Sequence, residues 1–373
     1  MVPVYRGLEE TRRCLQSVLA GGNVAACEVI VVDDAGPEAE LCAWLAALAA
    51  DGRISLYRND RNQGFVATVN RAMSLHPDRD AVLLNSDTEV SGNWLDRLLA
   101  CAATDPRIAT VTPFSNNGSI CSYPWPEVGG ELPEGRDLTS MDTLFARANR
   151  GRCADLPTGV GFCLYIRRAA WAQLGPFDVA RFGTGYGEEC DFCRRAAKSG
   201  WRNVLAADVF VYHQGSVSFG AARSQRIQAA EQVMAELHPE YPSLVDEFVR
   251  ADPLRPLRER VDLERAGEGG ADARRLLATA VAEREELRRQ LAGARRELER
   301  QEAQWRAETG RLRSALQDAQ GFVRAREADV DELQQRCALL RRQLAELQAR
   351  HEQVIHSRTW RYSRRLRRLL RLE

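Results

Sequence analysis

The sequence predicts an α/β fold on a mostly parallel sheet, followed by a long C-terminal helix. Four strand-length apolar runs fall within the first 90 residues: Val2–Tyr5, Val29–Asp34, Ile54–Asn59 and Ala81–Asp87. Amphipathic segments of helix length separate them, giving the alternation β-α-β-α-β-α-β. Near residue 265 the composition changes. Before it, aromatics, glycines, prolines and aliphatics mix as in a domain with a large core; from about Asp272 onward Arg, Glu, Gln, Ala and Leu dominate without proline, the composition of a long helix.

Each run ends in a polar cluster. A parallel sheet is buried under its crossover helices, and ligands then sit beyond the carboxyl ends of its strands. Tyr5, Asp33, Asp34, Asn59, Asn85 and Asp87 fall at those ends. A line of carboxylates and amides there suits a nucleotide and a hard cation, the plainer alternative being that Asp33 and Asp34 cap the next helix. Asn62-Gln63-Gly64-Phe65 opens a helix that continues through Asn70. Gly64 permits close backbone approach, the helix start offers N–H groups, and Asn62 could be its cap.

Further along, Gly183-Thr184-Gly185-Tyr186-Gly187 precedes Glu188-Glu189-Cys190-Asp191. Three carboxylates at a helix start are favoured by its dipole, so capping alone could explain them. The glycine-rich loop before them fits a substrate gate better. Val209-Phe210-Val211-Tyr212-His213 reads as a strand ending on a histidine.

A net charge of zero gives no field for nucleic acid. Cysteines such as Cys27, Cys101 and Cys163 lie in apolar stretches and read as small hydrophobes. With no signal peptide or long apolar run, a reducing, cytoplasmic setting without disulfides is expected. Cys190-x-x-Cys193 lacks the second ligand pair a zinc site needs.

Six pieces in order resemble the family 2 glycosyltransferases of GT-A fold, across residues 1 to about 220: Pro3-Val4-Tyr5, Val31-Val32-Asp33-Asp34, Arg58-Asn59 to Phe65, Leu83-Leu84-Asn85-Ser86-Asp87, Thr158 to Cys163 with Phe182 to Arg195, and Val211-Tyr212-His213. The resemblance implies a GT-A domain over 1–225 that inverts configuration as it moves a sugar from a nucleotide-diphosphate sugar to a hydroxyl. It implies donor contacts from Pro3, Tyr5, Asp33, Asp34, Asn62, Gly64, Asn70, Asn85, Ser86 and Asp87. On the acceptor side it implies Gly159, Gly161 and Tyr186.

Asn85-Ser86-Asp87 stands where the family has Asp-x-Asp, so Asp87 and the late His213 are the implied ligands of Mg²⁺ or Mn²⁺. Asn85 removes one negative charge from that motif. The family's catalytic base is matched by Glu189, one methylene longer than the usual aspartate, with Glu188 and Asp191 as other candidates. Several residues normally precede the position of Pro3. Either Met1 is not the natural start or the central strand is weakened, against a usual length of about 5–6 residues. A lipid-linked or glycan acceptor, in bacterial surface-polysaccharide synthesis at the inner face of the plasma membrane, is the implied setting. A sugar nucleotidyltransferase would want a basic glycine-rich loop after the first strand, which Arg6-Gly7-Leu8-Glu9 does not supply. A non-catalytic, sugar-nucleotide-binding scaffold is the other alternative, kept open by Asn85 and the short first strand.

Residues 226–265 read as a proline-broken helical extension packing on the catalytic domain, and 266–271 as a Gly-rich hinge. Over 272–355, Leu287, Leu291, Ala294 and Leu298 start a heptad seam. It resumes through Leu316, Val323, Val330, Leu333, Leu340, Leu344 and Leu347 after a four-residue offset, a stutter. An isolated helix would leave that seam wet, so a homo-oligomeric coiled coil is expected. The tail 356–373 places arginines among Trp360, Tyr362 and leucines, a pattern suited to an anionic membrane surface.

Overall fold

The computed structural model describes residues 1–21, 27–127, 129–183, 185–215 and 223–356, with Tyr362, Ser363 and Leu366. Its first half alternates as the sequence predicts: β1 (Val2–Val4), α1 (Leu8–Ala20), β2 (Ile30–Asp33), α2 (Ala39–Ala50), β3 (Ser55–Arg58), α3 (Phe65–Ser74) and β4 (Ala81–Leu84). Strands β1, β2 and β3 are parallel neighbours, with Val4 opposite Asp33 and Asp33 opposite Arg58. That register levels their carboxyl ends, so Tyr5, Asp34 and Asn59 emerge side by side. β1 adjoins β4 through Leu84 N–H, which donates to the Met1 carbonyl at 3.0 Å.

The second half is β5 (Thr88–Glu89), α4 (Trp94–Ala103), β6 (Ile108–Ser115), α5 (Leu138–Ala148), β7 (Cys153–Leu156), β8 (Cys163–Ile166), α6 (Arg168–Leu174), α7 (Val179–Phe182), α8 (Glu188–Lys198) and β9 (Arg202–His213). Here the sheet is mixed. β9 runs parallel to β6, but β8 runs antiparallel to β4 and β6, and β5 and β7 antiparallel to β9. The short runs of β7 and β8 carry no sign of direction in their sequence; the sheet is parallel in its first half and mixed in its second. The antiparallel pairing matters for function: Thr88 lies opposite His213, which brings the histidine beside Asp87.

Three further helices follow: α9 (Arg223–Leu237), α10 (Tyr241–Ala251) and α11 (Arg255–Gly267). Met234 packs with Phe182 and Phe192, while Leu254 and Val261 join Phe114, Phe145 and Phe210 in the core. The chain breaks helix at Glu268–Gly269, where Gly269 takes φ +77°. α12 (Gly270–His356) is one helix of 87 residues. The chain divides into two compact units, Met1–Ala278 and Thr279–Glu373. In the second, Leu287, Leu316, Val330, Leu340 and Leu347 are exposed. Short-range pairs such as Arg300–Glu297 and Arg306–Glu302 line the helix. Most of the basic tail lies outside the described residues. Among those described, no helix is long and apolar enough to cross a membrane.

One expectation is corrected. Cys101 of α4 and Cys153 of β7 form a disulfide, with Cα atoms 6.3 Å apart. They are 52 positions apart and become neighbours only when α4 and β7 are both brought against β9. Sequence spacing cannot show that pairing.

Candidate active site

At the strand ends, two adjacent carboxylates are occupied by the protein itself. Asp33 Oδ1 accepts from Gly36 N–H at 2.7 Å, and Oδ2 lies 3.2 Å from Arg58 Nε. Gly36 is required here, because a Cβ would come within 2.5 Å of the Tyr5 carbonyl oxygen. Asp34 Oδ1 accepts from Asn59 Nδ2 at 2.7 Å and Gln63 N–H at 2.8 Å, while Oδ2 accepts from Gly64 N–H at 2.9 Å. The start of α3 is therefore held by Asp34, and two amides that the sequence offered to a ligand are bound internally. Asn62 Oδ1 also accepts from Gly64 N–H. Asn70 exchanges two hydrogen bonds with the backbone of Phe177, giving it a bracing position between α3 and the loop before α7. Pro3 pairs with Val32 inside the sheet, and the Arg6 guanidinium lies over the Tyr5 ring.

After β4, the site opens. His213 Nδ1 lies 2.6 Å from the Asn117 carbonyl oxygen, a partner that can only accept, so Nδ1 carries the proton. In the neutral imidazole Nε2 is then the acceptor nitrogen, and it lies 3.5 Å from Asp87 Oδ1. Phe162 stacks on the imidazole with centroids 5.3 Å apart. Asn116 Oδ1 accepts from His213 N–H at 2.8 Å, fixing the strand end. The Phe162 carbonyl in turn accepts from Asn85 N–H at 2.9 Å, and Asn85 Oδ1 is buried without a hydrogen-bond partner. A carboxylate, an oriented imidazole nitrogen and an unpaired amide oxygen are the donor chemistry of a divalent cation. No group of three or more His, Cys, Asp or Glu side chains is gathered as a cation site among the described residues. Ser86 sits half-buried between Asn85 and Asp87.

On the other flank of Phe162 stands the start of α8. Gly161 faces Glu189 so closely that a Cβ on it would lie 3.3 Å from Glu189 Oε1. Glu189 Oε2 and Glu188 Oε2 are both buried without hydrogen-bond partners. Burial pushes the Glu189 carboxyl up, partly countered by backbone N–H groups of the helix start and of Gly161. Glu188 is raised further, by burial and then by its charged neighbour Glu189. Asp191 differs. Its oxygens are bound by His238 Nε2 at 2.9 Å and Arg195 Nε at 2.8 Å, which leaves it poorly placed as a base. Tyr186 sits at φ +74° in the loop whose glycines 183, 185 and 187 also have positive φ. Gly159 is buried behind this wall and donates its N–H to Cys193 Sγ at 3.1 Å. Burial lifts the Cys193 thiol to about 11 and Cys190 well above its usual value, so the pair is held as packed thiols.

Residues 1–230 match the family described as glycosyltransferase like family 2. The chain belongs to this family. Its fold is accordingly the GT-A type, here continued by the long helix α12. Among characterised relatives, it is similar to the N-acetylglucosaminyl-diphospho-decaprenol L-rhamnosyltransferase of Mycobacterium tuberculosis, 25% identical over 205 residues, covering 49% of this chain and 66% of that one. An uncharacterized protein of Sinorhizobium fredii is 24% identical over 233 residues, 59% of this chain and 24% of the relative. The match thus spans under two thirds of each relative's length. Among solved structures, the mannosyltransferase of Pyrobaculum calidifontis in complex with GDP-Man and Mn²⁺ is 20% identical with a TM-score of 0.46, over 75% of this chain and 78% of that one.

In this family 2 chain, several residues of the site escaped sequence reasoning. Asn117, which orients His213, sits in Ser115-Asn116-Asn117-Gly118, a stretch that signals only a turn. Gly215 sits at φ +68°, and a Cβ on it would collide with Asn117 Nδ2, so a side chain there would displace the asparagine. Phe162 joins the two flanks of the site but reads as core. His238 lies beyond the matched residues altogether.

Proposed function

We propose that the chain is an inverting, metal-dependent glycosyltransferase that uses a nucleotide-diphosphate sugar. One observation carries the reading. The segment Gly161–Phe162 has the Glu189 carboxylate, with one buried oxygen unpartnered, against one flank and the Asp87–His213 pair against the other. A base facing the acceptor hydroxyl and a cation-binding pair on the donor side are the two needs of a single displacement at an anomeric carbon. Glu189 takes the proton of the attacking hydroxyl; its raised affinity for protons suits a general base. Asp87 and His213, with Asn85 as a neutral third donor, would hold the cation, which supplies charge neutralisation at the departing diphosphate. A carboxylate with an imidazole favours Mn²⁺ over Mg²⁺, because imidazole suits transition metals. Asp33, Asp34 and Tyr5 line the nucleoside end through acceptor capacity left after their internal bonds.

The printed name of the mycobacterial relative supports a lipid-diphosphate-linked acceptor and a place in envelope glycan synthesis. The exposed seam of α12 supports self-association, tested by sedimentation of the full chain against one ending at Ala278. The arginine-rich tail supports peripheral contact with an anionic membrane, tested by flotation with phosphatidylserine vesicles in low and high salt. The reaction itself is tested by nucleotide release from UDP-, GDP- and dTDP-sugars with Mn²⁺, alongside the Glu189→Gln protein. Release from none of these donors, or equal release by both proteins, would overturn the reading.

A further inference from the structure

The first turn of α8 carries Glu188 and Glu189, yet its N-cap is Gly187 at φ 87° with no side-chain cap. Helix first turns fray unless their free N–H groups or side chains are held. What holds this one comes from the turn between α9 and α10. His238 Nε2 donates to Asp191 Oδ1 at 2.9 Å, and its Nδ1 accepts from Lys198 Nζ at 2.8 Å. Glu240 accepts from Arg194 at 3.2 Å and from Lys198 at 3.0 Å. Tyr241 O–H donates to Cys190 Sγ at 3.1 Å. Residues 190, 191, 194 and 198 follow the three-to-four spacing of one helix face, so a single turn grips α8 along its length. His238 and Asp191 are only 5% and 4% exposed, and the histidine has both ring nitrogens engaged. Buried, fully paired networks of this kind hold one geometry. His238, Glu240 and Tyr241 all lie beyond residue 230, where the family match ends.

We propose that His238 is a positioning residue of the transfer reaction: through Asp191 it fixes the first turn of α8, and with it the direction in which Glu189 faces Gly161. The extension after the family domain is then part of the active-site apparatus. This rests on Glu189 being the base.

The test uses the full chain with His238→Leu, which removes both contacts, and His238→Gln, whose amide N–H can still reach Asp191. Nucleotide release from whichever UDP-, GDP- or dTDP-sugar the unaltered chain turns over gives kcat and donor KM. Amide exchange over residues 188–192 is followed on the same proteins. In His238→Leu, kcat should fall roughly tenfold with donor KM within about twofold, since a base displaced by a fraction of an ångström loses rate rather than binding. Exchange in that turn should quicken by about tenfold or more. His238→Gln should recover most of both. Unchanged exchange in His238→Leu overturns the proposal, as does an equal loss of kcat in both variants, or a KM that rises as much as kcat falls. If His238→Leu does not fold, Asp191→Asn takes its place in the same measurements. Glu189→Gln in the same assay separates the two readings. Full activity there sinks the base, while exchange alone judges the clamp.

Discussion

Asp33–Asp34 and Glu188–Glu189 are two pairs of adjacent carboxylates in one site, and the fold treats them in opposite ways. The aspartates end β2, and each of their oxygens has a partner: Gly36, Arg58, Asn59, Gln63 and Gly64 all point donors at them. The glutamates open α8, and each keeps a buried oxygen without a partner. An unpaired buried carboxylate costs stability and persists where chemistry uses it. On the proposed mechanism the first pair builds the site, and the second is held ready for substrate. Strand-end position alone would have ranked them the other way.

The two carboxylate pairs should differ most in activity. Glu189→Gln should lower turnover by ~10²-fold or more with donor affinity nearly intact, the usual scale of a lost general base. Donor affinity is read by titrating nucleotide on the inactive protein. Should Glu189→Gln turn over normally while Glu188→Gln is dead, the base is the deeper glutamate. Asp191→Asn should act through α8 and fall between the two.

On stability the order reverses. Asp34→Ala leaves Asn59, Gln63 and Gly64 with donors facing an empty space, and should cost ~3–5 kcal/mol, as losing one side of a buried charged network does. Glu189→Gln, by contrast, replaces an ill-solvated charge with a neutral isostere and should melt at or above the unaltered protein. Thermal unfolding of both proteins reads the contrast; a Glu189→Gln chain that melts as low as Asp34→Ala would place Glu189 in the structural class.

The same contrast explains what was legible beforehand. The β-α alternation, the long helix and the acidic start of α8 are local patterns, and they are where the sequence puts them. His213 was legible too, as the polar end of an apolar strand. What was not legible is pairing between distant segments. Nothing near Asp34 says that its partners are Asn59, Gln63 and Gly64. Nothing in Asn116-Asn117-Gly118 says that a carbonyl there sets the tautomer of a histidine 96 positions on. The antiparallel placement of β8 and the Cys101–Cys153 link are hidden for the same reason. Position along an element can be read from period and polarity, but whether a polar atom is already spent depends on what folds against it.

Asp87 differs from both pairs, because it faces His213 Nε2 at 3.5 Å and is not fully buried. Asp87→Ala should raise the Mn²⁺ concentration needed for half-maximal activity by about tenfold, the low end for loss of a metal's supporting group. His213→Ala should raise it less, since the carboxylate keeps the charge. Equal activity of both variants and the unaltered chain in excess chelator would remove the metal from the reading.

The smallest effect is the dependence of stability on pH. Glu188 binds its proton more tightly in the folded chain than in the unfolded one, where its ordinary value is 4.5. Above 4.5 the folded state thus holds more protons than the unfolded state, and stability must fall as pH rises toward the folded value. Below 4.5 the carboxyl is neutral in both states and its contribution is fully present. Glu188→Gln removes the titrating group, so its stability should decline less between pH 5 and pH 8 than that of the unaltered chain, with a difference of about 1 kcal/mol for each unit by which the proton is held more tightly. Urea midpoints at the two pH values measure it. If Glu188→Gln leaves the profile as steep as in the unaltered chain, the buried oxygen of Glu188 is not the source of the slope, and the division between a pair that builds the site and a pair held for substrate loses its electrostatic basis.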